Sequence, residues 1–138
     1  VAVQLQEGSK IINRYGKVLG ADDIAEGIPM MADGVLDRAV DPDVLFAALI
    51  VIDTDAARLA RISGILGSNP DGSCGLTLMG DGGELSIRDD AGTRAYVVST
   101  SGSVEVPVAD LRSNLAADVF GAEASDGCFN AETIIAFE

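Results

Sequence analysis

Gly75-Leu76-Thr77-Leu78-Met79, Gly80-Asp81-Gly82-Gly83, Glu84-Leu85-Ser86-Ile87-Arg88, Asp89-Asp90-Ala91-Gly92 and Arg94-Ala95-Tyr96-Val97-Val98 alternate between β-prone phrases and glycine- or aspartate-rich breaks. In the middle phrase Leu85 and Ile87 are flanked by Glu84, Ser86 and Arg88, a period of two that suits a strand with one buried and one wet face. Asp89-Asp90-Ala91-Gly92 has the composition of a type I turn followed by a glycine able to take positive φ. The stretch reads as a ladder of short antiparallel strands. The fold class it predicts is mainly β, with Gly/Asp turns, in a sandwich, barrel or β-prism-like arrangement.

Outward from this ladder, Ser99-Thr100-Ser101-Gly102 turns the chain into Val104-Glu105-Val106-Pro107-Val108, where Pro107 cannot donate to a central ladder and marks an edge. Residues 43–66 admit two readings. A helix would line Leu45, Ala48, Leu49, Ile52, Ala56, Leu59 and Ile62 along one stripe, whereas the β-branched run Ile50-Val51-Ile52 favours a strand followed by a short helix or second strand. A short helix is expected over residues 110–120, where Leu111, Leu115 and Val119 recur every four residues. Residues 132–137 read as a last strand. Gly27, Gly34, Pro29 and Pro42 forbid a long helix early in the chain, so residues 1–42 read as an extended N-terminal arm or linker and 43–138 as the β-rich domain.

The chain has 138 residues, enough for one ordinary core, but no Trp and only two Tyr and four Phe. Small side chains stack well in sheets or between subunits, which tilts the reading toward an oligomer. With 22 acidic and 9 basic residues the net charge is −13, a sign that repels phosphate backbones and anionic lipid alike, so neither nucleic acid nor membrane is an expected partner. Lys10, Arg14 and Lys17 make the one basic patch, read as a solvated loop or edge strand. The opening residues lack the basic start and apolar core of a signal peptide. The longest apolar run, Val44 to Ile52, is far short of the ~20 residues that span a bilayer as a helix.

Histidine is absent, which removes the commonest general base near neutral pH and the commonest transition-metal ligand. Asp22-Asp23, Asp53 with Asp55, and Asp89-Asp90 are paired carboxylates, but each lies in a predicted turn, where aspartate satisfies local backbone donors. Asn69-Pro70-Asp71-Gly72-Ser73 begins like a calcium loop and then fails, with Cys74 at the glycine position and Gly80 at the bidentate glutamate position. Gly80-Asp81-Gly82-Gly83 lacks the lysine and strand-to-helix context of a phosphate loop, and no base stands near Ser73, Ser99 or Ser101 in sequence. The expectation is no catalytic, cofactor-binding or metal residue, no cofactor, and no enzyme. Cys74 and Cys128 are either a disulfide or two unpaired thiols of a reducing cytoplasm.

Residues 57–67, the phrase Gly75 to Asp81 and the phrase Leu85 to Arg94 resemble the repetitive β segments of tailed-phage fibre and tail-tip proteins. The upstream phrases Asp23-Ile24-Ala25-Glu26-Gly27-Ile28 and Ala32-Asp33-Gly34-Val35-Leu36 are similar to the linking motifs that precede such segments. The resemblance covers residues 21–99 and implies a virion structural protein, commonly trimeric, serving assembly or host attachment; the family's long shaft is missing, so a tail tip or a capsid decoration protein both fit. It implies partners among copies of itself and other virion proteins, with a host surface receptor as a further one, and a virion location after assembly in the host cytoplasm. Contact surfaces are expected at Val44 to Ile52 and Ile134 to Phe137. The rival reading is a secreted or surface-filament, pilin-like subunit with a packed helix at 43–66 and a Cys74-Cys128 disulfide.

Overall fold

The computed structural model describes residues 1–53, 59–69, 72 and 74–138. Among these the strands are β1 (Ala2–Asn13), β2 (Val18–Leu19), β3 (Met30–Asp37), β4 (Val44–Ile52), β5 (Ala60–Asn69), β6 (Gly75–Gly80), β7 (Gly83–Arg88), β8 (Arg94–Ser99), β9 (Gly102–Val106), β10 (Ala116–Glu123) and β11 (Phe129–Phe137). The only helical pieces among them are single 3-10 turns at Ala21–Asp23 and Val108–Asp110. The chain is mainly β.

Two hairpins of the expected ladder form. Gly80 pairs with Gly83 across a two-residue turn joining β6 to β7, and Ser99 pairs with Gly102 between β8 and β9. Pro107 falls one residue beyond β9, which pairs with β8 along its length but with β1 at a single position. Between the hairpins, however, β7 and β8 do not pair with each other; both run parallel to β11, β7 against Phe129 and Asn130 and β8 against 133–137. The reason lies in the Asp89–Gly92 break. The Asp90 carboxylate accepts the Gly92 N–H at 2.7 Å, and the Thr93 hydroxyl donates to the Ala131 carbonyl at 2.7 Å. The turn is thus pinned to β11, and β8 continues along it instead of folding back on β7.

Strands β10, β5, β6, β7 and β11 pair in that order, and β11 pairs again with β10, which closes a five-stranded ring. Leu66, Leu78, Ile87, Ala117, Val119, Phe129 and Ile134 fill it. Small closed barrels are packed by inward side chains in this way, and closure leaves no free edge.

Residues 110–120 are not a helix. The four-residue spacing of Leu111, Leu115 and Val119 is incidental, because β10 is flanked by β5 and β11 and is buried on both faces: Val119 points into the ring and Phe120 into a second core outside it. A left-handed turn at Asn114, φ 69°, brings its N–H to the Leu66 carbonyl at 2.8 Å and starts the strand.

The helical alternative for 43–66 is likewise excluded, since β4 and β5 are strands; residues 54–58 lie outside the described residues. Every residue from Ala47 to Ile52 is buried, as a strand covered on both faces requires. β4 lies between β1, parallel to it, and β3, antiparallel. Leu49, Val51 and Ile12 of this sheet pack on Phe120, Ile135, Tyr96 and Val98. Its opposite face, with Ile11, Ala47, Ile50 and Ile52, is covered by Leu19, Ile24 and Ile28. The segment read as an arm therefore supplies β1 and β3, the flanks of β4. Gly34 marks a register shift there, and a side-chain carbon at that position would sit 2.0 Å from the Phe46 carbonyl oxygen.

Candidate functional site

One member of each acidic pair has a partner within the subunit. Asp23 accepts the Gly20 N–H at 2.8 Å, Asp90 closes its turn, and Asp53 forms an ion pair with Arg14 at 3.2 Å. Asp55 and positions 70, 71 and 73 of the calcium-like loop lie outside the described residues. Ser99 and Ser101 share a hydroxyl contact at 3.1 Å in the β8–β9 turn.

One carboxylate that sequence reasoning did not single out is central to a polar cluster. Asp118, on the outer side of β10, is 7% exposed, accepting Arg61 Nη2 at 2.7 Å on one oxygen and the Ser63 hydroxyl at 2.6 Å on the other. Both donors come from β5, so the cluster ties β5 to β10 beside their backbone ladder. It borders an open cleft of about 470 Å³ between Ile65, Met79, Asp81 and Phe137. Asp33 of β3 lies near enough to feel it: burial raises the Asp33 carboxyl above its ordinary value, the charge on Asp118 adds to this, and Arg61 opposes it.

A second buried polar set locks the β1 end to the ring. Arg14, expected as part of a solvated basic patch, donates through Nη1 to the Leu59 carbonyl at 2.7 Å and lies 5.4 Å over the Phe120 ring. Thr133 donates its hydroxyl to the Arg14 carbonyl at 2.7 Å, and the Tyr96 hydroxyl donates to the Gly16 carbonyl. Glu105 Oε2 stands 3.2 Å from the same hydroxyl and forms a two-point ion pair with Arg94. Desolvation pushes Tyr96 up to about 12, while the Arg94 hydrogen bond holds the Glu105 carboxyl below its usual range. No local pattern announces this set, because its members are up to 119 positions apart.

Cys74 and Cys128 are joined, with Cα atoms 6.1 Å apart. They precede β6 and β11, the strands on either side of β7, and Arg88 at the end of β7 pairs with both Gly75 and Asn130. The bond therefore clasps the ring at its narrowest seam, where β7 and β11 share two residue pairs. Arg88 also forms an ion pair with Asp126.

Of the surfaces expected to meet other subunits, Val44 to Ile52 and Ile134 to Phe137, the ends Val44, Leu45, Phe46 and Phe137 are half-buried and the rest is enclosed. Ala47 to Ile52 and Ile134 to Ala136 are interior, because burying such runs is what holds the sheets together. Among the described residues twelve large apolar side chains stand exposed, including Val3, Leu5, Val35 and Leu36 on β1 and β3, Ile65 with Met79, which pair across β5 and β6, and the scattered Val18, Met30, Leu85 and Val104.

Compared with known proteins, the chain matches no family model, no curated protein sequence and no solved structure. Among the described residues no helix is long and apolar enough to cross a membrane.

Proposed function

We propose that this chain is a non-enzymatic structural subunit of a virus particle, associating with copies of itself and with neighbouring virion proteins in assembly or host attachment. The observation that carries this reading is where the side chains are committed. Polar groups with chemical potential, Asp118 with Ser63 and Tyr96 with Glu105, are occupied in tying strand to strand, while twelve large apolar side chains of the described residues stand exposed, among them Val3, Leu5 and Leu36 on one face of the β3-β4-β1 sheet and Ile65 beside Met79. Exposed apolar groups gathered into patches are a mark of surfaces meant to be covered, and at about 25 cal/mol per Å² a few hundred square ångströms of them sustain association. A trimer is the symmetry the fibre resemblance suggests. The acidic remainder keeps the assembly soluble.

The Cys74-Cys128 bond favours one alternative, a secreted or surface-filament subunit, since disulfides persist in oxidising surroundings, virion and cell surfaces included; its packed helix is excluded by β4 and β5. Thiol titration of unreduced protein and low-resolution imaging of the native assembly separate these. Copies located in a capsid or tail support the virion reading. A bonded pair in pili or another cell-surface filament supports the alternative, and a solitary subunit at all concentrations removes both.

A further inference from the structure

We infer that copies of this chain meet through the uncovered end of the β3-β4-β1 sheet, on the face carrying Val3, Leu5, Leu36 and Leu45. This rests on the structural-subunit reading and gives it a surface. Strand pairing sets Val3, Leu45 and Leu36 side by side in one row, with Leu5, Ala47 and Gly34 in the next row of the same face. Ala47 belongs to the core that Leu19, Ile24 and Ile28 cover. The two rows are thus the continuation of an internal core past the end of its lid, with Val3 42%, Leu5 40% and Leu36 38% exposed.

The size of the molecule's surface agrees with a missing cover. The accessible area is 7763 Å², whereas a compact monomer of 14.1 kDa exposes roughly 6,700 Å². The excess, about 1,000 Å², is close to the ~800 Å² that each partner contributes to a standard interface.

The charges identify the cover as a second copy. Two chains of charge −13 repel, but the strip between them is uncharged. Arg14, Arg61, Arg88, Arg94 and Arg112 each hold an ion pair within the subunit. Among the described residues Arg38, two positions beyond Leu36, is the one arginine without such a pair. Two positions after Leu5, where β1 shifts register against β4, comes the exposed residue Glu7. A copy turned end for end brings Arg38 to Glu7 and Glu7 to Arg38, the reciprocal match of a two-fold contact.

Sedimentation velocity on the full chain tests this with two sets of variants. Leu5→Glu with Leu36→Glu should sediment as monomer under conditions where the unaltered chain is associated, with an unchanged circular dichroism spectrum. Arg38→Glu should weaken association about tenfold, and adding Glu7→Arg should restore it. Association that survives the paired leucine changes in a folded variant, or that ignores both charge changes, overturns this surface while leaving the structural-subunit reading standing. An unaltered chain that stays monomeric at the highest concentration overturns both. If the leucine variant fails to fold, the charge exchange decides alone.

Discussion

Gly8 and Gly102 face each other at the one registered pair between β1 and β9, with backbone where side chains would be. A carbon added to Gly102 would lie 2.3 Å from the Gly8 carbonyl oxygen, and one added to Gly8 would lie 2.5 Å from the Ser101 carbonyl oxygen. Gly102 also has φ +149°, which side-chain-bearing residues rarely adopt. This crossing hands the sheet from β9 to β1, so substitution there must move a strand. Gly102→Ala should lower unfolding free energy by about 2–3 kcal/mol, read from urea denaturation. Gly27→Ala, whose added carbon meets nothing within 4 Å although its φ is +86°, is the control that separates crowding from backbone strain.

Reducing the Cys74-Cys128 bond, or replacing both residues by Ser, frees a loop of 54 positions in the unfolded chain. The chain-entropy cost is about 4 kcal/mol, and because β7 meets β11 at only two residue pairs, the loss should begin at that seam. Thermal unfolding with and without reductant measures it; equal melting temperatures would show that the ring holds without its clasp.

Tyr96 ties the loop after β1 to β8. Tyr96→Phe removes the donor to the Gly16 carbonyl and should cost about 1–2 kcal/mol. The raised value also fixes a pH dependence. The unfolded chain loses the phenolic proton near 10 and the folded one near 12, so above pH 10 the unfolded state binds fewer protons and stability falls until about pH 12. The Phe variant should lack this component of the alkaline loss.

Asp33 runs in the same direction at lower pH. Its carboxyl is held above 3.8 by burial and by Asp118, so the folded state retains a proton that the unfolded state has released, and stability declines as pH rises from 3.8 through the folded value. Asp33→Asn should therefore be more stable than the unaltered chain at pH 7, with the advantage vanishing at acidic pH where both states are protonated. A destabilised Asn variant at pH 7 would show that Asp33 is needed as an anion.

What the sequence disclosed follows distance along the chain. The hairpins at Gly80–Gly83 and Ser99–Gly102 are local, and their turn residues and flanking strands are visible together. The pairing of β11 with β7 and β8 is not, because Asn130 and Arg88 are brought together only when the ring closes. Residues 110–120 misled because a strand buried on both faces loses its alternation, and a chance spacing of three apolar residues then imitates a helix. Arg14 looked like a surface cation for the same reason: Phe120 and Asp53, which enclose it, are distant in sequence. The two cysteines allowed one intrachain pairing, but whether their Cα atoms approach is a property of the fold.

Hydrogen exchange followed by mass spectrometry across a dilution series tests the central claim, that a closed ring is the rigid scaffold and the uncovered end of its flanking sheet is the contact surface. Residues 116–123 and 129–137 should stay protected at every concentration, while residues 2–7 and 34–37 gain protection as concentration rises. Protection of those two segments that is indifferent to concentration, or rapid exchange in β10 and β11, would contradict it.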